Sequence, residues 1–143
     1  MSERNRLLAV SMGYTRPTYT LWPVTAAGGT TLGQTSTPAA GAWGLYADLI
    51  ALNAITVEFW LMEVVFDTFA GAFGAREVQI FNATEARRVY ECRAIATAAT
   101  ANLAPFRIPI PVYTSPNAQI QVRSGATNAA DTTNVSILVA TGL

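Results

Sequence analysis

The chemistry open to this 143-residue chain starts from nine carboxylates, nine arginines and one cysteine. It has no histidine and no lysine. Without histidine there is no imidazole general base and no Ser-His-Asp or Cys-His nucleophile. Without lysine there is no Schiff base and no phosphate-loop lysine. Cys92 stands alone, so neither an intrachain disulfide nor a structural zinc site can form, and burial alone must hold the fold. The catalytic option left is a pair of carboxylates, as in glycoside hydrolysis, where two acids about 5 to 10 Å apart suffice. Glu58, Glu63 and Asp67 share one segment, but on a strand Glu58 and Glu63 differ by an odd offset and face opposite sides. Glu63 and Asp67 share a face at about 13 Å on extended chain. No second strand nominates a partner for either. The chain reads as a non-enzyme, with no cofactor and no metal.

Net charge is zero, so no overall field draws the chain to nucleic acid or to an anionic membrane. Charged residues are 13% of the chain, against about 25% in an average soluble protein. A deficit of that size implies that part of the surface lies against other protein. A genome biased toward Ala and Arg codons also accounts for the missing lysines, though less directly for the low charge. The opening Leu7-Leu8-Ala9-Val10 is too short for a signal-peptide core. The most hydrophobic stretch, Ile55 to Phe73, contains Glu58, Glu63 and Asp67, each costly at the centre of a membrane helix. Neither export nor a membrane span is expected.

Two zones position these groups. Residues 1–42 contain Arg16-Pro17, Trp22-Pro23, Gly28-Gly29 and Pro38, which exclude a long helix. This zone is expected to be an extended arm and loop that can hold one early strand around Thr18 to Val24. Residues 43–143 alternate with period two in short runs. Ile55, Val57, Phe59 and Leu61 alternate with Thr56, Glu58, Trp60 and Met62, then blur into Val64-Val65-Phe66, which predicts a central strand of about twelve residues. Further runs follow at Val78–Phe81, Val89–Ala96, Phe106–Val112, Gln119–Arg123 and Val135–Ala140. Pro109 and Pro111 confine their run to a sheet edge or a bulge. Leu45 to Leu52 also fits helical spacing. The expected fold is all-β, an antiparallel, jelly-roll-like β-sandwich of seven to eight strands with an extended N-terminal arm.

The closing third is the most distinctive. Pro105-Phe106-Arg107-Ile108-Pro109-Ile110-Pro111-Val112-Tyr113 leads through Ser115-Pro116-Asn117 into Ile120-Gln121-Val122-Arg123 and then the terminal strand Asn134 to Ala140. With Ala42-Trp43 and Ile55 to Met62 upstream, this order resembles small β-sandwich virion proteins of tailed bacteriophages over about residues 42 to 143. Asn117 stands where that pattern has glycine, and asparagine tolerates the left-handed backbone such a turn needs. The resemblance implies a structural virion part, such as a capsid decoration (cement) protein, a head spike or a tail component.

Six residues of the arm form the expected protein interface: Arg4, Arg6, Tyr14, Arg16, Tyr19 and Trp22. Guanidinium forks pair carboxylates bidentately, and aromatic anchors with arginines are what interface hot spots are made of. Of the three tryptophans, Trp60 is expected in the core, Trp43 at its edge and Trp22 on the surface, where it could stack on a sugar. Asn82-Ala83-Thr84 and Asn134-Val135-Ser136 match the glycosylation sequon but read as turn and strand chemistry. Cys92 belongs to an apolar strand face, which predicts an inert thiol. Gly28-Gly29 and Gly71 to Gly74 lack the context of a phosphate loop.

The leading expectation is a non-enzymatic phage decoration protein that bridges capsid subunits on the outer surface of the virion, assembled in the host cytoplasm. Its partners are the major capsid protein or another virion protein and further copies of itself, as a trimer first and a dimer second. The alternative is a carbohydrate-binding head-spike or tail module for host attachment. A carboxylate glycosidase or lysin comes third.

Overall fold

The computed structural model describes residues 16–24, 34–36, 39–96, 106–129 and 131–143. Among these there are nine strands and no helix: β1 (Thr18–Trp22), β2 (Gln34–Ser36), β3 (Ala47–Ile50), β4 (Phe59–Ala70), β5 (Gly74–Asn82), β6 (Arg87–Ala96), β7 (Phe106–Thr114), β8 (Ile120–Ala126) and β9 (Thr132–Thr141). Within Leu45 to Leu52 the chain forms the short strand β3 (Ala47–Ile50) and no helix.

The first sheet has the order β1-β9-β4-β7, with the short β2 also on β9, and the second has β3-β8-β5-β6. Every strand pair is antiparallel. Leaving β2 aside, the other eight strands in chain order run 1-8-3-6 in one sheet and 2-7-4-5 in the other. That is the double Greek key of a jelly roll. The inner faces supply the core: Phe59, Leu61, Val64 and Phe66 of β4, Val78 and Ile80 of β5, Ile120 and Val122 of β8, and Val135, Ile137 and Val139 of β9. The zone up to residue 42 takes part in this sandwich, because β1 and β2 both pair with β9.

β4 begins at Phe59, four residues after the alternation starts, and its register shifts twice, between Leu61 and Glu63 and between Phe66 and Thr68. Each extra residue reverses the parity, so Leu61 and Val64 both face inward despite their odd spacing. This is why the period-two pattern blurs at Val64-Val65-Phe66. β7 lies at the sheet edge, and its pairing with β4 jumps from Val112 to Arg107 across the segment holding Pro109 and Pro111. A proline has no N–H to give a ladder, so both options allowed by the sequence, edge and bulge, are used. Asn117 adopts φ 66 in the turn before β8, donates its N–H to the Ile55 carbonyl (2.8 Å), and accepts from Asn53 N through its own carbonyl (3.1 Å). Asn82 is buried, and its carboxamide oxygen accepts from the Glu85 N–H (3.0 Å) in the β5–β6 turn.

One end of the sandwich is closed by charge. Arg76, on the inward-facing side of β5, is fully buried and pairs with the buried Asp131 at the start of β9. Arg76 Nη2 donates to the Ala72 carbonyl at 2.9 Å, and Asp131 Oδ1 accepts from the Ala72 N–H at 3.0 Å. The pair thereby fixes the β4–β5 loop as well. Gly71 sits there at φ +112, and a Cβ on it would lie 1.9 Å from Asp131 Oδ1, so only glycine fits.

Removing one partner of a buried pair leaves the other charge uncompensated. Asp131→Asn is expected to cost about 3–5 kcal/mol in urea denaturation, with Arg76→Met added to it recovering part of the loss. A cost below about 1 kcal/mol for Asp131→Asn would contradict this role. Cys92 is buried, and its thiol is pushed up to about 12, first by burial and then by the neighbouring Glu91 carboxylate. A disulfide reagent at pH 8 should therefore leave the native protein unlabelled and modify one thiol after unfolding. The same shift has a sign: the thiol's contribution is complete below its ordinary value of 9.0 and is lost as pH rises toward about 12.

Candidate interaction face

The outer face of the first sheet collects aromatic side chains by register. Tyr19 of β1 lies opposite Ala140 of β9, Ala140 opposite Trp60 of β4, and Trp60 opposite Tyr113 of β7. These four form one row across the sheet. Adjacent strands are about 4.8 Å apart, so Tyr19 and Trp60 are separated by about 10 Å. The Trp60 and Tyr113 rings meet edge to face with centroids 5.5 Å apart. Tyr19 is 56% exposed and Tyr113 49%. A second row runs Leu21, Leu138, Glu63 and Arg107, ending in an exposed Arg107–Glu63 ion pair at 3.4 Å. Farther along, the Ser136 hydroxyl donates to Asp67 at 2.5 Å. Burial raises the Asp67 carboxyl above its ordinary range, and the Ser136 bond offsets part of that rise.

A cleft of about 540 Å³ opens at the Tyr19 end and is lined by Arg16, Val57, Glu58 and Pro116 among others. Glu58 also accepts a long hydrogen bond from the Tyr113 hydroxyl (3.5 Å). Arg16 and Tyr19, both expected at an interface, therefore lie on the β1 side of this face, Arg16 in the cleft that Glu58 also lines, while Tyr113 stands at the opposite edge of the sheet. Trp22 does not join them. Its register partner Ile137 points into the sandwich, so Trp22 packs against the core and not on the surface as expected. Arg4, Arg6 and Tyr14 lie outside the described residues.

Trp60 corrects the sequence reading in the other direction. Phe59 and Leu61 take the inward positions, which leaves Trp60 between them on the outer face and half-buried. Glu63 follows it there, because the extra residue after Leu61 cancels the odd offset that separated it from Glu58. No alternation pattern marks such an extra residue; the run of apolar residues on both parities was the available signal.

The outer face of the second sheet has a different chemistry. Gln79 accepts from Tyr46 and Arg123 (both 2.8 Å) and donates to Glu91 (3.1 Å), which also pairs with Arg88 (3.0 Å). Asp48 accepts from Gln119 and Gln121 (2.9 Å each). This face joins that polar network to an aromatic group of Trp43, Tyr46 and Phe81 and to the exposed Ile95, whereas the first face carries the Tyr19, Trp60 and Tyr113 row.

No protein-family model and no curated protein matches the chain. Among solved structures it is similar to one described as the structure of infectious bursal disease virus Gx strain, at 21% identity and a TM-score of 0.48. The match covers 90% of this chain and 34% of that one, so the chain spans about a third of its length.

If the aromatic row serves contact and not folding, exposed Tyr19 should tolerate change. Tyr19→Ser is expected to shift unfolding free energy by no more than about 0.5 kcal/mol, and Trp60→Ala by about 3 kcal/mol or more. Urea melts of both variants check this, and a Tyr19→Ser cost equal to that of Trp60→Ala would make Tyr19 a packing residue.

Proposed function

We propose that this chain is a structural protein of a virion and, within that class, a decoration protein that bridges capsid subunits of a tailed bacteriophage. The observation behind this reading is the aromatic row Tyr19–Ala140–Trp60–Tyr113 on one outer face, in a chain whose charge content is half the usual. Jelly rolls serve in viral capsid and lectin domains, and fold alone does not choose between them. The choice rests on the face: tyrosine and tryptophan with arginine at the rim is the composition of a protein contact. Arg16 and Glu58, which line the same cleft, fit a salt-sensitive register at the edge of that contact.

In this reading each copy covers a seam of the shell, and many copies add up to stabilisation without catalysis. Arg4, Arg6 and Tyr14 of the N-terminal arm add contacts to the same partner in this reading. Copies associate as a trimer or a dimer, which light scattering should register above the 15.2 kDa monomer.

The deciding experiment is the protein content of purified particles. Quantitative mass spectrometry is expected to find the chain at a stoichiometry tied to shell symmetry. A form lacking residues 1–16, which ends short of β1, should stay folded and soluble but leave the particles. Absence of the intact chain from particles, or wild-type occupancy by both Tyr19→Ser and the truncated form, contradicts the reading.

A further inference from the structure

A second site lies on the opposite sheet. There, a cleft of about 310 Å³ is lined by Trp43, Ala75, Glu77, Arg93, Gly125 and Thr127 among others. The size is at the lower end of small-molecule sites, enough for one or two sugar rings and too small for a protein segment.

The wall of this cleft is built in advance. Trp43 bridges Gly125 and Ala40 bridges Ala126, so the strap leading from residue 40 lies along the end of β8. The Gly41 N–H donates to the Ala126 carbonyl (3.0 Å) and the Gly44 N–H to the Ser124 carbonyl (2.8 Å), one on each side of Trp43. Gly41 takes φ +63 at the start of the strap. The Arg123 guanidinium lies over the Trp43 ring at 5.1 Å and over the Tyr46 ring at 4.6 Å. A Cβ on Gly125 would lie 3.4 Å from Trp43 Cε3, so the indole packs close over this position of β8. An indole fixed from so many sides loses little freedom on binding, which is what preorganisation means energetically.

The polar side of the cleft is a pair of opposite charges. Arg93 Nε and Glu77 meet at 3.2 Å, and both side chains remain solvent-accessible. An anion or a cation would compete with one half of that pair. A neutral polyol would satisfy both halves, since hydroxyls donate to the carboxylate and accept from the guanidinium. A ligand with one apolar C–H face and a rim of hydroxyls matches an indole beside a carboxylate–guanidinium pair.

We propose that the Trp43 cleft binds a neutral pyranoside sugar, with the ring's C–H face on the indole and its hydroxyls on Glu77 and Arg93. The site is on the sheet opposite the aromatic row, so sugar and particle can be held together. Saturation-transfer NMR on the intact protein, with a panel of neutral mono- and disaccharides, tests it. At least one neutral sugar should receive magnetisation at millimolar concentration. Glu77→Gln and Arg93→Gln, both at exposed positions that leave the fold standing, should weaken that sugar tenfold or more. Trp43→Ala should abolish transfer while the circular dichroism spectrum stays that of a β protein. Glu85→Gln, in the distant β5–β6 turn, should leave binding unchanged. No transfer to any neutral sugar overturns the proposal. So does transfer that survives Glu77→Gln and Arg93→Gln together, or a preference for uronic or sialic acids over neutral sugars.

Discussion

Arg76 is a full positive charge with no exposed surface, and much of the architecture follows from how that charge is met. Its partner Asp131 comes from 55 residues away and stands at the entry to β9. Together they pin the β4–β5 loop through Ala72 and demand glycine at position 71. Such a pair adds little net stability compared with an apolar filling of the same volume, but it allows few alternatives. A β9 shifted by one residue would turn its inner valines outward and leave Arg76 unpaired. The pair thus holds the register of the strand that β1, β2 and β4 all share.

That register creates the two unlike faces. With β9 in place, Val135, Ile137 and Val139 fill the core while Leu138 and Ala140 fall on the outer side, between Leu21 and Tyr19 of β1 and Glu63 and Trp60 of β4. The aromatic row is a consequence of pairing, because its members come from four strands that are far apart in sequence. The second sheet pairs Arg88 with Glu91 and Arg93 with Glu77, and Gln79 donates a hydrogen bond to Glu91. The two faces thus differ in what they carry: a Tyr19, Trp60 and Tyr113 row on one, and a polar network around Trp43, Tyr46 and Phe81 on the other.

β5, β6, β8 and β9 occupy the runs that alternation marks, although β6 carries one extra residue at Val89, and the prolines of β7 announced an edge with a break. What local pattern does not contain is register across the sheet. The first shift in β4 brought Glu63 to the side of the outward Trp60, while the pairing of Trp22 with Ile137 turned inward a residue that reads as surface. Tyr113 joined the site for the same reason, through its pairing with Trp60. Of the arm residues, Arg16 and Tyr19 sit at the candidate face, a placement that their types suggested and only the β1–β9 register made definite. Nothing in the local sequence marks Arg76 and Asp131 as a pair, since 55 residues separate them.

If the chain decorates a virion as proposed, one face of the sandwich must meet the shell. A cryo-EM reconstruction of particles bearing the chain answers this directly, because the two sheets differ in strand order and in their large side chains. It should place the β1-β9-β4-β7 sheet against the shell, with density between its subunits and Tyr19, Trp60 and Tyr113, and leave the Trp43 side facing solvent. A map in which the β3-β8-β5-β6 sheet lies on the shell and the aromatic row faces outward would contradict it.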